Sequence, residues 1–258
     1  MLDFYRFSHF QKYDALLHAV TTKSSLLPYS FSLALHTGEN KQSIIENREK
    51  ISEYFFQKSP LQYIVANQTH SDHIHIVNSS ETKGWKTIED AISDCDALIT
   101  NISNIMLTIL TADCVPILLY DKEKRVIAAV HAGWKGTKAH IVSKTVEKMI
   151  EHYQSQTKDI IVGIAPSIGR CCYEVDNDVA KHFSDTPKGY TVKKDKYILD
   201  LPYINKQQLL DVGILEENIE MSNICTACEV DRFFSYRKEQ VCTGRFMSMI
   251  GLKDNDEN

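Results

Sequence analysis

A chain of 258 residues, 43% hydrophobic and 24% charged, has the composition of a soluble globular protein long enough to bury a sizeable core. Its formal net charge of -5 gives no reason to bind a polyanion, so nucleic acid is not an expected partner, although a local basic pocket for one phosphate is compatible with it. The first twenty residues lack the basic start and apolar centre of a secretory signal, and no apolar run nears the roughly 18 residues of a membrane span; with an odd count of seven cysteines, the expectation is a cytoplasmic, membrane-free chain with reduced thiols.

Residues 16–35 read as an extended, turn-containing region. Apolar residues at 44, 45, 51, 55 and 56 with charges between them predict an amphipathic helix over 43–56, with Arg48 on its polar, solvated side. A strand over 61–67 leads to Gln68-Thr69-His70, and another covers 74–77. His73 and His75 alternate with Ile74 and Ile76, so they share one strand face. Such a pair can bind metal, but an exposed strand face accounts for it as well. Residues 81–94 are polar, a loop with a short helix, and lead through Asp96-Ala-Leu-Ile-Thr into the centre of the chain.

That centre, residues 105–136, reads as three short buried strands near 105–110, 115–120 and 126–130, separated by polar turns. Cys114 lies in an Ala-Asp-Cys turn held by Pro116, and His131 ends a strand before an Ala-Gly-Trp-Lys-Gly loop. Neither sits inside an apolar run. Reactive groups on loops at the ends of buried strands are a common way to build a site. Beyond it, Ile141, Val142, Thr145, Val146, Met149 and Ile150 fall on one side of a helix over 139–152. A buried strand over 159–165 runs into Pro166-Ser-Ile-Gly-Arg-Cys-Cys-Tyr-Glu-Val, and Asp176 is placed to cap the next helix. Strands near 190–200, a helix near 202–212, strands near 219–223, 233–236 and 246–251, and a frayed polar tail over 253–258 complete the chain. With no repeat, low-complexity segment or Pro/Gly/Ser-rich linker, one α/β domain over 1–258 is expected.

His70, Cys114 and His131 offer two imidazoles and a thiolate, a borderline-soft set suited to Zn²⁺ with Cu²⁺ as the usual competitor. Three protein ligands leave a fourth position open, as in catalytic zinc sites, where bound water reaches a pKa of ~7. Cys114 with His131 also fits a nucleophile and its base, and all three fit a buried thiol with two hydrogen-bonded histidines. Gly133-Trp-Lys-Gly136-Thr-Lys138 has phosphate-loop elements in the wrong order, and the nucleobase-deaminase zinc signature is missing. Cys225-x-x-Cys228 shows no partner pair for a structural zinc and reads as two free thiols near a turn. Cys171 and Cys172, being adjacent, are poorly placed for a mutual disulfide.

Glu46-Asn-Arg48, Asn67-Gln-Thr-His70, Asp96-Ala-Leu-Ile-Thr, Thr111-Ala-Asp-Cys-Val-Pro116, Val130-His-Ala-Gly-Trp-Lys-Gly136, Gly163-Ile-Ala-Pro-Ser-Ile-Gly169, Cys172-Tyr-Glu-Val, Phe234-Ser-Tyr-Arg and Thr243-Gly-Arg245 stand in one order along the chain. In these motifs the chain resembles the family known variously as multicopper polyphenol oxidase (laccase-like), peptidoglycan-editing factor and purine nucleoside phosphorylase. It departs at His18-Ala-Val and Ala34-Leu, where the family usually has His-Gly-Phe and an Asn-Leu pair.

The resemblance implies an α/β fold, a single-domain layered sandwich with mixed β-sheets and outer helices, and zinc ligands at His70, Cys114 and His131. For activity it implies phosphorolysis of adenosine, inosine and 5′-methylthioadenosine with adenosine deamination alongside, so that purine nucleosides and phosphate are the expected partners. Arg48, Lys135 and Arg245 are then candidate phosphate or substrate contacts, Arg being favoured for its fixed fork of donors. Gln68 joins them as a substrate contact. Asp113 is expected to orient a ligand or shuttle a proton, or else to form a turn. Trp134 and Tyr173 are placed to stack on a purine or to wall the pocket. Competing expectations are an amidase that edits peptidoglycan precursors at the same centre, a copper-dependent phenol oxidase, for which one His-x-His pair is too few, and a non-catalytic binding module.

Overall fold

The structure, a computed structural model, describes residues 2–56, 61–186, 188–193, 196–240 and 244–254. Its strands are β1 (Phe4–Tyr5), β2 (Leu16–Thr21), β3 (Gln62–Val65), β4 (Ile74–Ile76), β5 (Ala97–Thr100), β6 (Ile105–Thr111), β7 (Val115–Asp121), β8 (Val126–Ala132), β9 (Ile160–Ile164), β10 (Glu174–Val175), β11 (Tyr190–Lys193), β12 (Lys196–Leu199), β13 (Ile219–Met221) and β14 (Phe246–Leu252). The helices are α1 (Lys41–Phe55), α2 (Trp134–Lys138), α3 (Ile141–Tyr153), α4 (Asn177–Ala180), α5 (Leu201–Asp211) and α6 (Tyr236–Glu239).

β6, β7 and β8 are apolar along almost their whole length because each is covered on both faces. On β7, Val115, Ile117 and Leu119 pack with Val142, Val146 and Met149 of α3. Leu118 and Tyr120, pointing the other way, pack with Leu107 and Ile109 of β6. On β6, Met106 and Leu110 turn to the far side and meet Ile51 and Phe55 of α1. Strand alternation thus builds four layers: α1, a sheet in the order β1-β2-β14-β6-β3, a sheet in the order β13-β9-β7-β8-β5-β4, and an outer layer of α3 and α5. Both sheets are mixed, with parallel pairs β3–β6, β4–β5 and β9–β13 among antiparallel neighbours. This is the layered sandwich expected from the sequence. A small sheet, β10-β12-β11, sits beside it.

Several local expectations are corrected. The loop expected at Gly136 is helical, as α2, because α5 holds it: Asn205 and Gln208 donate to the hydroxyl and the carbonyl of Thr137. Residues 233–236 form no strand; Phe233 and Phe234 turn into the core between the sheets and the chain enters α6. The 81–94 loop contains no helix and is tied to the β3 side by bonds such as Val65 N to Lys83 O and Asn67 N to Ile92 O. Asp176 stands at the N-cap of α4, but its carboxylate takes Lys196 Nζ at 2.5 Å instead of a helix amide. Of the expected frayed tail, residues 255–258 lie outside the described residues.

Candidate active site

Register brings Cys114 and His131 together. Val115 pairs with Ala132 and Pro116 with His131, so the residue before β7 lies beside the end of β8. At that end Gly133 is needed for space: a Cβ there would stand 2.9 Å from His70 Cδ2 and 3.1 Å from Cys114 Sγ. His70 arrives from the loop after β3 with φ 62°, a conformation that a non-glycine residue adopts only when its surroundings hold it.

What holds it is Asp96, wholly buried just before β5. Its carboxylate accepts from the backbone N–H groups of Thr69, His70 and Ser71 at 3.2, 3.1 and 2.7 Å, and from Ser71 Oγ at 2.7 Å. It also takes His131 Nδ1 at 2.6 Å. That bond fixes the imidazole tautomer and leaves Nε2 for the centre, the carboxylate–histidine arrangement that supports metal ligands. Burial acts to raise the Asp96 carboxyl, but its bonds from His131 and Ser71 hold it well below the usual carboxylate range.

One donor atom from each of His70, Cys114 and His131 lies within 4.8 Å of the others, with Cys114 Sγ 3.7 Å from His70 Nε2. Burial pushes the Cys114 thiol up, but the neighbouring His131 and His70 imidazoles outweigh it and bring it down to about 6. Burial likewise lowers His131, and the Cys114 and Asp96 charges overcome that, raising it to about 9. A ready thiolate, an oriented imidazole and a second imidazole around a cradle that a Cβ would fill suit a borderline-soft divalent cation.

The three residues lie at one end of a cleft of about 450 Å³, within the range of small-ligand pockets. Gln68, Asp113, Trp134, Tyr173 and Arg245 also line it. Gln68 uses both ends of its amide on Leu110, donating to its carbonyl and accepting from its N–H at 2.8 Å each, so it continues the edge of β6. Asp113, at φ 88°, accepts from Thr226 Oγ1 at 2.7 Å and from Arg237 N at 2.6 Å, bonds that tie two loops to the cleft.

Arg48 does not line the cleft, and it is not solvated. It is 1% exposed, with its guanidinium donating to the carbonyls of Leu33, Gly84 and Trp85. The segments around Leu33 and Gly84 close over the face of α1 that looked polar. Lys135 also lies outside the cleft; it is exposed, with Nζ 5.7 Å from the Trp134 ring, in a shallow groove with Asp72 and Lys138.

Three further residues matter. Asp96 opened a recognised motif, and Arg237 closed another; Arg237 packs over the Tyr173 ring at 5.4 Å. His36, also on the cleft wall, carried no signal in the sequence. Elsewhere, the Cys225–Cys228 pair that looked unpartnered has a partner pair after all, in Cys171 and Cys172.

Comparison with known proteins agrees with this fold and these motifs. The chain is 34% identical over 255 residues to purine nucleoside phosphorylase YlmD of Bacillus subtilis, covering 95% of this chain and 91% of that one. It is 36% identical over 236 residues to a purine nucleoside phosphorylase of Clostridium acetobutylicum, covering 85% and 91%. Among solved structures, YlmD from Geobacillus stearothermophilus superposes with a TM-score of 0.88 at 29% identity, covering 96% of this chain and 94% of that one. The Bacillus licheniformis hypothetical protein YfiH gives 0.86 at 35%, covering 92% and 93%. With residues 18–253 matching its pattern, the chain belongs to the family described as multi-copper polyphenol oxidoreductase laccase.

Proposed function

We propose that this chain is a zinc-dependent purine nucleoside phosphorylase, acting on adenosine, inosine and 5′-methylthioadenosine, that also deaminates adenosine. The observation that carries this reading is one cleft with a three-donor set at its end and aromatic and cationic side chains along its wall. The names of the relatives at 34% and 36% identity support it.

In phosphorolysis a phosphate oxygen bonds to the sugar C1′ as the C1′–N9 bond breaks. The electron pair of that bond goes to the purine, which takes up a proton. Arg245 presents a planar fork that suits phosphate oxygens, and His36 lies within reach of its charge. Burial first, and then the Arg245 and Arg48 charges, lower His36, against the opposing charge of Glu39. Tyr173 and Trp134 offer faces for the base, with Arg237 fixing the Tyr173 ring. Asp113 acts through position, holding Thr226 and the start of α6 against the cleft.

When bound by His70, Cys114 and His131, Zn²⁺ supplies Lewis acidity at that end. Deamination replaces the amine on purine C6 with the oxygen of water and releases ammonia. Multicopper chemistry is less well supported. His73 is engaged with Asp94 at 2.9 Å, and among the described residues only two groups of His, Cys, Asp and Glu gather closely enough for metal.

The test is an assay of purified protein with phosphate and adenosine, beside elemental analysis. Wild type releases adenine with ribose 1-phosphate, and also inosine, while His70→Ala and Cys114→Ala lose both. A wild type that makes neither product, or a His70→Ala protein that matches it, ends this reading. Cleavage of a peptidoglycan-precursor amide without nucleoside turnover would put an amidase in its place.

A further inference from the structure

Residues 165–173 and 222–229 run side by side. Ser167 N donates to Ile224 O at 3.2 Å, Thr226 N donates to Ser167 O at 3.0 Å, and Ser167 and Cys225 form a parallel bridge. That pairing carries the adjacent thiols of Cys171 and Cys172 to the Cys225-x-x-Cys228 turn. The turn is closed by bonds from Cys228 N and Glu229 N to Cys225 O at 3.1 and 2.9 Å.

The Sγ atoms of the four cysteines all lie within 4.8 Å of one another. Cys228 Sγ is 3.5 Å from both Cys171 Sγ and Cys172 Sγ. Gly169 N donates to Cys225 Sγ at 3.3 Å, a bond that favours a thiolate acceptor. A Cβ on Gly169 would come within 3.3 Å of Cys225 Cβ and 3.5 Å of Cys171 Sγ, so glycine there keeps the thiols' approach open.

Sulfur atoms bound tetrahedrally to one Zn²⁺ at ~2.3 Å stand ~3.8 Å apart. A disulfide needs ~2.05 Å. The observed spread brackets the first distance and is far from the second.

We propose that Cys171, Cys172, Cys225 and Cys228 form a second metal site, a closed tetrathiolate holding one Zn²⁺. Four sulfur donors leave no open position, so this site is structural, unlike the three-donor set at the cleft. The soft donor set selects zinc over magnesium or calcium, and coordination releases the thiol protons to solvent. The ion clamps two segments that both reach the cleft: Tyr173 follows Cys172 and lines it, and Thr226, next to Cys225, bonds Asp113 beside Cys114. The proposal is independent of the nucleoside reaction.

The experiment uses Cys114→Ala protein, purified reduced and without oxygen, so that the cleft centre has lost its thiolate. Titration with Co²⁺ alone is expected to give a thiolate-to-cobalt charge-transfer band and intense tetrahedral visible bands that saturate at one ion per chain and disappear when Zn²⁺ is added. Zn²⁺ is expected to raise the thermal midpoint of the same protein. Both effects should be lost in Cys114→Ala/Cys228→Ser and in Cys114→Ala/Cys172→Ser. The proposal is overturned if the Cys114→Ala protein gives no charge-transfer band, if its mass shows the hydrogens lost to disulfides, or if both double variants keep the spectrum. Where a double variant fails to fold, the spectrum of the Cys114→Ala protein decides alone.

Discussion

Asp96 combines two tasks on one carboxylate, orienting His131 and gathering the amides that place His70. Asp96→Asn keeps the shape but puts a donor where an acceptor is needed. We expect it to weaken zinc binding at the cleft by roughly 10–100-fold, as read by competition with a chromogenic chelator in a Cys228→Ser background. Gly133→Ala tests the cradle more directly. With a Cβ 2.9 Å from the His70 ring, the imidazole must move, so metal binding and turnover should fall together while far-ultraviolet circular dichroism stays unchanged. A Gly133→Ala protein that binds zinc normally would show that the cradle is looser than its distances.

Secondary elements explain what the sequence revealed and what it hid. The three central strands were legible because burial on both faces makes them continuous apolar runs. His70, Cys114 and His131 stood out because they lie at the ends of such strands and not inside an apolar run, and the register Pro116 to His131 then brings two of them together. Asp96 could not be read as a partner of His131, since only the pairing of β5 with β8 makes them neighbours. Cys171 and Cys172 were hidden for the same reason, their partners lying across a bridge between distant loops.

Arg48 failed differently. The α1 periodicity put it on a polar face, but other segments of the chain cover that face and supply carbonyls and the Trp85 ring. Arg48→Ala leaves those carbonyls without donors and should cost about 3 kcal/mol in urea denaturation, while the KM for phosphate is unchanged. A raised KM at normal stability would return Arg48 to the substrate.

Across the whole molecule, stability depends on pH through His18, which is buried in β2 and accepts from Phe7 N at 2.9 Å. Burial first, and then the Arg6 charge, lower it from 6.5 to about 4, against the opposing charge of Glu220. The folded protein therefore resists protonation at a pH where the unfolded chain accepts it. This stabilisation is fully present above about pH 6.5 and is lost as the pH falls toward 4, about 3 kcal/mol in all. Urea midpoints of wild type should fall across that window, and those of His18→Gln should fall less; parallel curves would assign the acid sensitivity to other groups.

β14 lies between β2 and β6, with Ser248 opposite Val20 on one side and Ile109 on the other. On the ribosome, then, β2 and β6 wait with a gap between them until a strand made much later slots in. Until that moment the edges of β2 and β6 that face β14 stay unpaired, and bare strand edges invite pairing with other nascent chains. A stop codon just before Phe246 should therefore yield aggregates and inclusion bodies, not a trimmed working protein.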